Sequence, residues 1–159
     1  KRKGPSYLRL GAGAKPSWLK MPEYSHTRKL TASGTVTVVA LGPAIQNVFK
    51  SLEIAPKLKN SLELFVISEM PLPNLSTELK KSLRKTGKLL VLEEHVSRGG
   101  LAENLALLLF KQNIPCRLIN LCAQGYPNGL YGDQAYHQKI SKLDPDSIIK
   151  TINNMRHGK

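Results

Sequence analysis

The chain has 159 residues, 41% hydrophobic and 22% charged, with a formal net charge of +13. That is the size and make-up of one soluble globular domain. It is long enough to bury roughly 68–70% of its unfolded surface, and no apolar run nears the ~20 residues of a membrane span.

The charge is uneven. The first 34 residues hold eight Lys/Arg against one acid, Glu23. A nucleic-acid arm is one reading of that excess. The basic residues are dispersed, however, and no aromatic-rich strand accompanies them, so nucleic acid is an unlikely partner. A solvated face, or a contact with an acidic partner surface, accounts for them as well. The start, Lys1-Arg-Lys-Gly-Pro5, lacks the apolar stretch of a signal peptide. Cys116 and Cys122, six positions apart on one strand, would lie ~20 Å apart and cannot bridge. These features lead to the expectation of a reducing, cytoplasmic compartment.

Taken in order, Ser6 to Leu10 reads as an isolated strand, followed by a Gly-, Ala- and Pro-rich connector, Gly11 to Pro22, in which Trp18 is expected to pin the connector to the surface. Arg28 to Ala32 is a short strand. Val36 to Leu41 is a buried one, β-branched and apolar. Gly42-Pro43 ends it and opens a helix whose apolar face is Ala44, Ile45, Val48, Phe49 and Leu52. Pro56 stops that helix. Leu62 to Ile67 is the next strand, with Ser68 to Pro73 as its exit loop. A helix starts near Ser76 and Glu78 and ends at Gly87.

Leu89 to Leu92 is apolar on both faces, as in a buried parallel strand. Glu93 and Glu94 follow, then a loop to Gly99-Gly100 and a helical pattern from Leu101. Asn113 to Pro115 breaks that helix, and Cys116 to Cys122 is the last strand. A glycine-rich loop leads to a final helix, with Asp144 as N-cap and Pro145 in its first turn. Alternating strands and helices at this spacing imply an α/β fold: a mostly parallel sheet with helices on both faces.

The carboxyl edge of such a sheet is where ligands bind. Glu93, Glu94 and His95 gather there and read either as a general acid and base or as caps of the loop backbone paired with Arg98. No nucleophile motif accompanies them. Gly99-Gly100 with Arg98, ahead of a helix, could cradle an anion, although no Walker lysine follows and the pair is not G-x-G-x-x-G. Close helix–sheet packing explains two glycines equally well. No catalytic residue and no metal ligand set is read from the sequence.

Three segments in order resemble the C-terminal domain of transketolase-like thiamine diphosphate enzymes. They are Gly4 to Gly11, Gly34 to Gly42, and Val91-Leu-Glu-Glu-His95 with Gly99-Gly-Leu101. Met70-Pro-Leu-Pro73 fits the exit of the second strand. The family includes transketolase, deoxyxylulose phosphate synthase and the beta subunits of 2-oxoacid dehydrogenases. The resemblance implies a three-layer α/β/α sandwich with a mixed five-stranded sheet, four strands parallel and one, Arg28 to Ala32, antiparallel. It implies residues 1–12 as the tail of a preceding pyrimidine-binding domain, 13–27 as a linker and 28–159 as the C-terminal domain of a longer protein. In the parent, thiamine diphosphate and Mg2+ would sit on other domains. This part would be non-catalytic and inactive alone, supporting a homodimer of an enzyme that transfers two-carbon ketol units. One departure is Ala12, which stands where sugar-phosphate-using relatives place a phosphate-binding arginine. Either Arg9 or Lys15 substitutes for it, or the substrate is not a sugar phosphate. The alternative from another class is a stand-alone regulatory domain binding a nucleotide or phosphate at Gly99-Gly100.

Overall fold

The computed structural model describes residues 4–5, 15–31, 33–127 and 129–158. Five strands form one sheet: β1 (Thr27–Lys29), β2 (Val36–Leu41), β3 (Leu62–Ile67), β4 (Lys88–Glu93) and β5 (Arg117–Cys122). Their order is β1-β3-β2-β4-β5. β1 runs antiparallel to β3, and every other pairing is parallel. The four-parallel, one-antiparallel sheet is thus as expected, with the antiparallel strand shorter and starting one residue earlier. The strand expected at Ser6 to Leu10 lies outside the described residues.

Alternation along the strands divides the core into two apolar layers. Val36, Val38 and Ala40 of β2, with Leu62 and Leu64 of β3, meet α1 (Ile45–Ile54) and α5 (Pro145–Arg156) on one face. Val39, Phe65, Leu89 and Val91 meet α2 (Thr77–Thr86) and α3 (Leu101–Lys111) on the other. This is the three-layer sandwich.

The helix ends follow the sequence signals. Ser76 Oγ accepts from Leu79 N at 3.2 Å, and Gly87 ends α2 with φ +58°. Asp144 accepts from Ser147 N at 3.1 Å, ahead of Pro145. One helix departs from expectation. The segment read as loop before Asp144 contains α4 (Gln134–Ile140), capped by Asp133 through Tyr136 N at 2.8 Å. It has seven residues and none fully buried, so it carries no apolar stripe to betray it.

The connector is fixed where it is described. Leu19 is buried, and Trp18 meets Phe49 edge-on with centroids 5.9 Å apart. Lys59 Nζ stands 4.1 Å from the Trp18 ring centroid, a cation–π contact.

At the amino end of the sheet, on the α2/α3 face, lies a polar cluster that hydropathy concealed. The Glu63 carboxylate is 3% exposed and bonds Lys29 Nζ and Lys85 Nζ, each at 2.7 Å. Across the register from it, Thr37 shares hydroxyl hydrogen bonds with Ser82 at 2.7 Å and Thr86 at 2.8 Å. Burial alone would raise the Glu63 pKa, but hydrogen bonds from Lys29, Lys85 and Ser82 outweigh it and hold the carboxyl below its ordinary value. A depressed folded-state pKa contributes stability above the unfolded value of about 4.3, and that contribution disappears as pH falls through the folded value. Glu63→Gln is therefore expected to lose about 2 kcal/mol at pH 7. In urea titrations, the difference between the variant and the parent should close under acid conditions.

Candidate functional site

β2 and β4 lie side by side, but their following helices depart to opposite faces, so the carboxyl edge between them is the fold's switch point. The strongest constraint there is Glu93, the last residue of β4. Alternation from Leu89 and Val91 turns it toward α3, and it is fully buried. Its carboxylate accepts from Leu101 N at 2.5 Å, Ala102 N at 3.3 Å and Asn120 Nδ2 at 3.0 Å. The first amides of a helix have no partner inside it, and the helix dipole favours negative charge at that end. Gly100, the N-cap of α3, has no side chain to offer. Glu93 supplies the missing cap from the neighbouring strand.

That contact accounts for the Gly-Gly pair. A Cβ at Gly100 would overlap the Glu93 carboxylate. Gly99 takes the left-handed conformation, φ +71°, that turns the chain into α3. Gly99 N donates to Glu103 Oε2 at 2.7 Å and Gly100 N to Ser97 O at 3.1 Å. All four amides from 99 to 102 thus meet acceptors of the chain itself. Where a phosphate would sit, Glu93 already sits.

The remaining members of the cluster are placed apart from it. Glu94, His95 and Arg98 are exposed. His95 Nδ1 lies 2.7 Å from Val96 O, and among the described residues Arg98 forms no ion pair. Glu93 and His95 therefore point into and out of the protein and do not assemble as an acid–base pair. Arg9 lies outside the described residues. Cys122 is buried beside this site, and its thiol pKa is raised, first by burial and then by the negative Glu93. Among the described residues no three metal-ligating side chains gather.

Asn120 and Asn104 went unnoticed in the sequence. Asn104 joins α3 to the exit loop of β3, accepting from Leu72 N at 2.8 Å. Asn120 carried a usable signal: it is the polar member of Leu118-Ile-Asn-Leu121, at a position whose strand neighbour, Val91, is buried.

Glu93→Ala should cost about 3–5 kcal/mol, because two buried amides lose their acceptor. Gly100→Ala alone should also destabilise, by overlap with the carboxylate. Combined, the two should cost clearly less than their sum, since removing the carboxylate makes room for the methyl. Equilibrium unfolding of the four proteins measures this coupling.

Transketolases are among the solved structures with a similar fold. A structure titled split gene transketolase, inactive beta4 tetramer, superposes with a TM-score of 0.66 at 18% identity, over 84% of this chain and 44% of that one. Transketolase from Campylobacter jejuni subsp. jejuni NCTC 11168 gives 0.57 at 14% identity, over 81% and 18%. Transketolase from Pichia stipitis in complex with sedoheptulose 7-phosphate gives 0.53 at 12%, over 82% and 18%. The chain thus spans less than half the length of each. No curated protein matches it in sequence. The family model described as transketolase, C-terminal domain, matches residues 25–148. By that match over most of its length, the chain belongs to the transketolase C-terminal domain family.

Proposed function

We propose that this chain is a supporting, non-catalytic module of a transketolase-like, thiamine diphosphate-dependent enzyme, and that it contributes to dimerisation and to the architecture of the parent. The observation that carries this reading is the Glu93 cap. It takes up the backbone amides at the sheet edge where an α/β protein of this kind would otherwise hold an anionic ligand. The residues present do not fit a diphosphate–metal site. The amides at 99 to 102 are satisfied internally, and no metal-ligating cluster forms among the described residues. Cofactor and magnesium are accordingly assigned to other polypeptide of the parent, as is ketol transfer.

The surface offered for association is the outer side of α3. Leu107 is 50% exposed and Phe110 83%, side by side one turn apart, with Ala106, one turn before Phe110, also exposed. They lie on the solvent side of the helix with Glu103 and Lys111, and covering each apolar side chain contributes roughly 1.5–3 kcal/mol. The split-gene transketolase chain of similar fold is described as an inactive beta4 tetramer. That supports self-association of this chain through its own exposed surface when it stands alone.

Two outcomes are expected. Calorimetry with thiamine diphosphate and magnesium should give no heat of binding for this chain; micromolar affinity would remove the reading. Sedimentation should show a self-associating protein whose dimer constant weakens at least tenfold in Phe110→Asp. An unchanged constant would take α3 out of the interface.

A further inference from the structure

A second feature of the carboxyl edge lies away from the β4–α3 junction, on the α1 face, and goes beyond the supporting role proposed above. A cavity of about 310 Å³ opens between the β1–β3 edge of the sheet, the start of α1 and the connector. Arg28 and Ser68 line it on the sheet side and Lys15 on the connector side. Its other walls are chiefly apolar, including Met21, Ile45 and Phe49.

Arg28 is the group without a full set of partners. It stands opposite Val66 in the β1–β3 register, so its side chain rises along the α1 face toward the end of β3. There Nη2 donates to Ser68 Oγ at 2.9 Å. Its Nε is buried and has no hydrogen-bond partner among the described residues. Its Cζ also lies 5.6 Å from the centroid of the Tyr24 ring. Every acidic residue of the chain is among the described residues, and none forms an ion pair with Arg28. The nearby carboxylate of Glu69 is engaged by Tyr24 and His26.

A half-buried guanidinium with an unmatched donor is costly, and a planar carboxylate matches its fork in charge and geometry. Two cations at the cavity and no acid among its lining residues set the sign of the guest. The apolar walls set its body. We propose that this cavity binds a small organic carboxylate with a short apolar chain, its carboxylate on Arg28 and Ser68 and its chain against Ile45 and Phe49. Lys15 and Met21 make the connector one wall of the site, so occupancy would fasten the connector to the sheet edge.

The test uses the whole chain with hexanoate and, separately, inorganic phosphate. Titration is followed by the NMR signal of the Arg28 Nε–H and by thermal unfolding. Hexanoate should shift that signal saturably in the millimolar range or below and raise the unfolding midpoint. Arg28→Met should weaken hexanoate at least tenfold. Gln46→Trp, which narrows the cavity from α1 and leaves Arg28 in place, should do the same. The second variant keeps the result decisive if Arg28→Met does not fold. Equal affinity in parent and variants overturns the site, as does the lack of saturable binding by 10-millimolar order concentrations, roughly −2.7 kcal/mol. Binding of phosphate in preference to hexanoate overturns the carboxylate class.

Discussion

A buried carboxylate at the start of a helix governs this domain's carboxyl edge. Glu93 loses its hydration entirely, and a bare charge in that position would be prohibitive. Two helix amides, the Asn120 amide and the helix dipole compensate. From that one arrangement come the need for Gly100, the angle at which α3 leaves the sheet, and the absence of a free anion cradle at the fold's switch point. A motif that looks like a ligand-binding turn is, in three dimensions, an internal salt-free cap.

The α2/α3 layer holds a second buried acid at its opposite end. Glu63 is neutralised by two lysines at the amino end, Glu93 by backbone and an amide at the carboxyl end. Glu63 ties the last turn of α2 to the sheet through Lys85, and Glu93 ties the first turn of α3. The α1/α5 layer has an apolar core, with the Ser51 hydroxyl donating to Pro145 O at 3.2 Å as a polar tie between its helices.

Much of this was legible in the residues. Strands such as Val36–Leu41 and Leu62–Ile67 announce themselves by β-branched and apolar runs, and Ser76, Gly87, Asp144 and Pro145 mark helix ends by chemistry that acts within one turn. What was not legible depends on distance along the chain. Glu93 and Gly100 are near in sequence, but only the strand's alternation and the path of the loop decide that the carboxylate turns inward while His95 turns out. Arg28 and Ser68 meet across forty positions because an edge strand pairs antiparallel with β3. α4 was hidden for a different reason: a short helix that buries no residue has no periodicity to read.

The Trp18–Phe49 contact has a mechanical consequence. The indole is clamped between a core aromatic on α1 and the Lys59 ammonium, with Leu19 sealed beside it. Tension applied through the connector would arrive first at α1, the helix that follows β2, before it reached the hydrogen-bond ladder of the edge strand. The shortest strand of the sheet, three residues long, is thereby shielded from peeling by an anchor placed ahead of it in the chain.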